Sequence, residues 1–388
     1  MKRLAVFCDG TWNRADAEHA TNVVKLAQAM RRTAPDGTAQ LATYIQGVGT
    51  GRGAGRLSRT IDRVGGGAFG WGLTSNIEEA YRAIAFNYEP GDEIYIFGFS
   101  RGAYTARSLG GLIRAAGIID AQHVAQLGRV IERYRDRDPD TKPDSEESLR
   151  ERAETAPLVH TSEEEAAWRQ SRGIAVGTRL RIAYMGVWDT VGALGVPSKF
   201  PGAGLFNRKY RFHDLNLSSS VEAARHAVAI DERRSTFPPT LWQNLDRLNA
   251  DAAEGKFPYR QLWFPGDHGS VGGGGEICGL SSEAAIWIAE GAAERGLAFD
   301  DAALAALKAE VDPFGPLRNS AQPLSLLDRL LRLRALDRTG IGAASDLSPS
   351  ALLRWYHENK DAAGWPYRPK PLQALTDAIK ALGPPGTR

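Results

Sequence analysis

Cysteine is scarce here: Cys8 and Cys278 are the only two in 388 residues, so no disulfide framework and no CxxC pair can form, and the usage fits a reducing compartment. An excess of either charge is missing too. The 48 Lys and Arg and 46 Asp and Glu are interleaved to a net charge of +2, which argues against a nucleic-acid-binding tail or a strongly acidic partner. Long apolar runs are absent as well. The opening MKRLAVFCDG starts like a secretory leader, but Asp9 interrupts it, and no later run approaches the roughly 20 apolar residues of a membrane span. The expectation is a chain that is cytoplasmic as synthesised, open to export by a specialised secretion system. With hydrophobic residues at 43%, it has the material for a sizeable core.

Short β-branched or aromatic runs end in turn residues at Leu4–Cys8, Thr43–Ile45, Glu93–Phe97, Leu180–Val187 and Tyr259–Phe264, and each reads as a strand buried on both faces. Between them, apolar positions at three- and four-residue steps predict helices over Val23–Arg32, Thr74–Asn87, Tyr104–Ala116 and Ser282–Arg295, and also over Val221–Ile230, which would place His226 on a helix. This alternation predicts a mostly parallel α/β sheet with helices on both faces. Asp136–Ser171, rich in Asp, Glu, Arg and Pro, reads as an exposed insertion with short helices. From about residue 300 to 388 the chain reads as a helical C-terminal extension. Its leucine stripe Leu324–Leu333 suits a packing helix, with a lid or membrane-surface helix as the alternative.

Chemistry concentrates just past the strand ends, where open α/β sheets bind ligands. Gly98-Phe99-Ser100-Arg101-Gly102 stands between a strand and a helix, the context that the G-x-S-x-G nucleophile elbow requires. Such a serine sits in a strained turn that tolerates only glycine two residues away on either side, and its hydroxyl lies at a helix N-terminus that favours developing negative charge. A serine hydroxyl needs a base and an orienting acid later in the chain. Of the seven histidines, His268 alone follows a predicted strand and lies in a glycine-rich loop. For the acid, Asp189 ends the strand Leu180–Val187 and is preferred; Asp231 competes, with an Arg233 or Arg234 pairing as its ordinary role, and Asp267 is a third choice. Val6–Thr11 is similar to the D-x-D-G-T motif of haloacid-dehalogenase phosphatases, yet Phe7 stands where the attacking aspartate would be. What remains is a tight turn able to aim the N–H of Gly10 or Thr11 at an oxyanion opposite the N–H of Arg101, with Asp9 shaping the loop.

FCDGTWN, TNVVKL with Asn22, YIQGVGTG, GDEIYIFGFSRGAYTARSLGGLIR, GVWDTVGALG, ARHAVAIDERRSTFPP and WFPGDHGSVGGG follow one another along most of the chain. Together they resemble a bacterial and fungal α/β-hydrolase domain family, formerly of unknown function, that includes type VI secretion phospholipase effectors. The resemblance implies an α/β-hydrolase fold, a Ser-Asp-His triad with Ser100 as nucleophile and His268 as the histidine of WFPG-x-H, and an ester or lipid substrate.

The resulting expectation is a single α/β-hydrolase domain over residues 1–388 that cleaves carboxylic esters through an acyl-enzyme, short and medium acyl chains ahead of phospholipid. Ser100, Asp189 and His268 would be catalytic, with Arg101 and Gly10 or Thr11 as the oxyanion hole. It would need no metal or organic cofactor and no nucleic-acid partner, and would contact membrane surfaces only transiently. Two alternatives stand beside it: a metal-dependent hydrolase gathering Asp9, Asp189, Asp267 and His268, and a non-catalytic binding module that keeps the fold.

Overall fold

The computed structural model describes residues 1–49, 67–136, 138–192, 215–250, 252, 256–321, 336–357 and 366–385. The stripe Leu324–Leu333 and His213 lie outside the described residues. In chain order the elements are β1 (Lys2–Cys8), α1 (Asn22–Ala29), β2 (Ala39–Ile45), α2 (Gly67–Asn87), β3 (Glu93–Phe99), α3 (Arg101–Ala116), α4 (Leu127–Arg135), α5 (Glu146–Thr155), β4 (Val159–His160), α6 (Glu163–Ser171), β5 (Thr178–Arg179) and β6 (Ile182–Trp188). There follow β7 (Ala224–Ala229), α7 (Leu245–Ala250), β8 (Tyr259–Phe264), α8 (His268–Gly272), α9 (Gly279–Ala293), α10 (Asp301–Ala309), α11 (Pro349–Tyr356) and α12 (Thr376–Leu382).

Six strands form one sheet in the order β2-β1-β3-β6-β7-β8, every neighbouring pair parallel, as the β-α alternation predicts. Alternate residues of each central strand enter opposite cores. Leu4, Val6, Ile94 and Ile96 pack beneath α2, α3 and α4, whereas Ala5, Phe7, Tyr95 and Phe97 pack beneath α1, α9 and α10. Phe7 and Phe97 are partners across β1 and β3 and stack at 4.8 Å, and burying each such side chain contributes about 2–3 kcal/mol. At the sheet edge β2 is half exposed, and it begins at Ala39, well before the predicted Thr43. The chain runs from β1 outward to β2 and then returns to β3 on the other side of β1. The order therefore reverses at β1 and β3, and ligand crevices open at such a switch point.

One predicted helix is a strand. The segment around His226 is β7, paired with both β6 and β8 and buried at every position. Its alanine-rich ARHAVA carries a helical period, but its small side chains also fit beneath packed helices, and sheet pairing overrides weak local preference. A third apolar cluster packs Leu347, Ala351, Trp355, Tyr367, Leu372 and Ile379 of the C-terminal region onto Val228 and Trp263 of β7 and β8.

The segment Asp136–Ser171 does carry short helices, α5 and α6, but its charges are not all solvated. Glu165, fully buried, accepts from Arg152 Nε at 2.9 Å, Arg169 Nη2 at 2.6 Å, and both the N–H and hydroxyl of Thr161 at 2.9 Å. Burial alone would raise the Glu165 pKa, but Arg152, the Thr161 N–H and Arg169 outweigh it and hold the carboxyl below its ordinary value. Glu165 thus contributes stability that is present above the unfolded-state value of about 4.3 and is lost as pH falls through the lower folded-state value. Glu165→Gln leaves two buried arginines without their counter-charge and is expected to cost about 3–5 kcal/mol in urea denaturation at pH 7. A loss below about 1 kcal/mol would show that this network does not hold the segment in place.

Candidate active site at the strand ends

Ser100 follows β3 directly and takes φ 58° and ψ −120°, a region that non-glycine residues rarely occupy. Its N–H donates to Trp188 O on β6 at 3.0 Å, which ties the turn to the neighbouring strand. The flanking glycines are required by contact. A Cβ on Gly98 would lie 2.4 Å from Gly102 O, and one on Gly102 would lie 2.2 Å from Cys8 O at the end of β1. α3 begins at Arg101, so its N-terminal dipole lies beside the Ser100 turn.

Asp189 directly follows β6 with φ 35° and is fully buried. Its Oδ1 accepts from Ala229 N at 3.0 Å and Arg338 Nη1 at 3.2 Å, and its Oδ2 accepts from His268 Nδ1 at 2.6 Å and Arg338 Nη2 at 3.0 Å. Burial pushes the Asp189 pKa up, but Arg338, His268 and the Ala229 N–H together hold it well below the usual carboxylate range, so the group is an anion at neutral pH. His268 opens α8, whose N-cap Asp267 accepts from Ser270 N at 3.1 Å. With Nδ1 donating to Asp189, the bonding assigns the acceptor role to Nε2. The ring lies 4.6 Å from Phe99, the residue before Ser100, and meets Phe237 edge-on at 4.9 Å. Ser100 and Asp189 directly follow β3 and β6, and His268 lies four residues past β8, so all three, far apart in sequence, stand beyond the C-terminal ends of strands of one parallel sheet.

The family model of the T6SS phospholipase effector Tle1-like catalytic domain matches residues 2–291, which include all six strands of the sheet and these three side chains. The chain belongs to the Tle1-like phospholipase effector family. It is also similar to the uncharacterized protein YEL023C of Saccharomyces cerevisiae (strain ATCC 204508 / S288c), 28% identical over 249 residues, or 61% of this chain and 32% of the yeast protein. Among solved structures, an uncharacterized protein from Pseudomonas aeruginosa is similar at 18% identity and a TM-score of 0.42, over 80% of this chain and 49% of that one. The Tle1 effector bound to the VgrG spike of the type 6 secretion system is similar at 20% identity and a TM-score of 0.34, over 72% of this chain and 52% of that one. The chain therefore spans about a third of the yeast relative and about half of each solved chain.

The motifs of this Tle1-like chain have distinct places in the structure. Asp9 is buried and accepts from Gly10 N at 2.7 Å, Thr21 Oγ1 at 2.9 Å and Tyr44 Oη at 2.7 Å, so it shapes the loop after β1. That bond engages the Gly10 N–H, which argues against Gly10 as the oxyanion donor. Thr11, whose hydroxyl accepts from Arg101 Nη1 at 2.8 Å, is the remaining candidate on this loop. Gly10 itself lies against the Ser100 turn: a Cβ there would sit 3.2 Å from Ser100 Cβ. Asn22 donates to Val271 O and Ser281 O at 2.9 and 2.8 Å, bolting α1 to α8 and α9. Among the described residues no three His, Cys, Asp or Glu side chains gather as metal ligands, so the Asp9, Asp189, Asp267 and His268 cluster of the metal alternative does not form.

His226 has a structural place. Its Nε2 accepts from Thr190 N at 3.2 Å, its Nδ1 lies 2.9 Å from Gln261 Oε1, and burial, with Arg107 nearby, lowers its pKa to about 3. Arg338 and Glu232 were not singled out by the sequence. Arg338 is one of 48 basic residues in a segment without a motif, and its pairing with Asp189 spans 149 positions. Glu232 Oε2 accepts from the His268 N–H at 3.3 Å and from Arg234 Nη2 at 2.7 Å, while the Arg234 guanidinium lies 3.8 Å over the Phe237 ring.

Asp231 is not paired with Arg233 or Arg234. Its Oδ2 accepts from Gly266 N at 2.7 Å and Tyr367 Oη at 2.8 Å, and burial raises its pKa to about 6. A carboxyl raised in the folded state favours folding while protonated, and that advantage is lost as pH rises from about 3.9 to about 6. Asp231→Asn keeps both acceptor contacts without the buried charge. It is expected to raise stability at pH 7.5 by about 1–3 kcal/mol and to leave ester turnover within about threefold. A thousandfold loss of turnover in a folded protein would move the acid role to Asp231.

Proposed function

We propose that this chain is a serine-dependent carboxylic-ester hydrolase of phospholipase type, working through Ser100, His268 and Asp189. The observation that carries this reading is the buried 2.6 Å bond from His268 Nδ1 to Asp189 Oδ2 beside the strained Ser100 turn. It supplies the fixed imidazole that a weakly nucleophilic hydroxyl requires. The Ser100 Oγ attacks the ester carbonyl while His268 Nε2 takes its proton. Negative charge on the carbonyl oxygen is met by the N–H groups of Arg101 and Thr11. His268 then returns the proton to the departing alcohol, leaving an acyl-Ser100. Water, deprotonated by His268, attacks the acyl carbon and releases the acid and the free serine. Asp189 stays ionised throughout and stabilises the imidazolium.

Family membership supports an acyl lipid as substrate and export by a type VI secretion system as the setting. Among the described residues no helix is long and apolar enough to cross a membrane.

Ser100→Ala and His268→Ala are each expected to lower hydrolysis of a soluble acyl ester by about 10⁴-fold without loss of the circular dichroism of the fold, and Asp189→Asn to lower it steeply. A fluorophosphonate should label Ser100 alone, as read by peptide mass spectrometry. Turnover that survives Ser100→Ala would sink the acyl-enzyme reading. A comparison of phospholipid vesicles with short-chain esters decides the substrate class.

A further inference from the structure

Arg338 lies beyond residues 2–291, the part of the chain matched by the family model, yet it completes the coordination of Asp189. A carboxylate offers about four acceptor positions. Ala229 N and His268 Nδ1 fill two of those on Asp189, and the two terminal nitrogens of Arg338 fill the others in the fork geometry that only a guanidinium supplies. The arginine is itself held. It is 5% exposed, its Nε donates to Glu232 O at 3.3 Å, the adjacent Asp337 pairs with Arg233 and Lys370, and Leu336 N donates to Arg233 O. The segment carrying Arg338 is thereby stitched to the loop after β7 that also presents Glu232 to His268.

We propose that Arg338 is a positioning residue of this site: it fixes both oxygens of Asp189 and, as a permanent counter-charge 3.0 Å from that carboxylate, sets how much negative field His268 meets during turnover. This rests on the serine-hydrolase reading above. The charged groups facing His268 are Asp189 from β6, Glu232 and Arg234 from the loop after β7, Asp267 at its own helix cap and Arg338 from the C-terminal region. Removing the Arg338 cation from Asp189 leaves that carboxylate's full charge on the imidazole and favours its protonated form. It also leaves two acceptor positions of Asp189 empty, so the carboxylate can turn away from Nδ1.

The test is the pH dependence of kcat/KM on a soluble short-chain ester. Arg338→Met should lower kcat by about 10- to 100-fold, leave KM within about threefold, and move the acid limb of the profile up by about one pH unit. Arg338→Lys keeps the charge without the fork, so its acid limb should stay at the wild-type position while kcat recovers only in part. In an Asp189→Asn background, adding Arg338→Met should cost less than about twofold more, because Arg338 acts through Asp189. That double variant buries neither charge, so it and Arg338→Lys carry the comparison if Arg338→Met fails to fold. An unmoved acid limb in folded Arg338→Met, or losses that multiply in the double variant, would overturn the proposal. Those failures would occur in an enzyme that still requires Ser100, whereas failure of the hydrolase reading shows as turnover surviving Ser100→Ala.

Discussion

A carboxylate with no access to water is the constraint around which this site is arranged. Asp189 cannot stay ionised in an apolar interior unless every acceptor position is met, since an isolated buried charge is far more costly than the fold could sustain. Four bonds from three separate parts of the chain meet them: β7 through Ala229, α8 through His268, and the C-terminal region through Arg338. The same bonds that make the charge tolerable fix the imidazole and place the C-terminal region over the end of the sheet. Stability and site geometry share one set of contacts here.

Backbone strain gathers at the same edge. Among the described residues only Trp12, Ser100 and Asp189 combine a side chain with positive φ, and all three fall in turns at the C-terminal ends of β1, β3 and β6. Each such conformation costs on the order of 1–3 kcal/mol. Strands buried on both faces hold these turns because the sheet fixes where each one must start, and the contacts of Gly98 and Gly102 leave no room for relaxation. Among the described residues, connections elsewhere in the fold use glycine wherever φ is positive.

Two further buried charge networks among the described residues differ in kind. Glu165 with Arg152 and Arg169 organises a segment away from the strand ends and has a purely structural character, whereas Glu232 with Arg234 touches the His268 backbone and the Phe237 ring beside it. Both place long side chains where a plain reading of acidic and basic residues expects solvent. Composition reports how many charges a chain carries, and only packing decides which of them lose their water.

The sequence by itself was enough for the parallel sheet and for the elbow. Most strands buried on both faces read as near-continuous apolar runs, and a serine between two glycines after such a strand has few other conformations available. The places of His268 and Asp189 just past strand ends were legible for the same reason. The strand β7 was not, because alanines pack equally well in a helix, and its neighbours in the sheet rather than its own residues made it extended. Nor could the chain order reveal that Gly10 donates to Asp9, that Asp231 meets Tyr367, or that Arg338 reaches Asp189 across 149 positions. Such contacts depend on distances in space between side chains with no periodic or motif relation, and a local pattern carries no record of them until the tertiary structure brings them together.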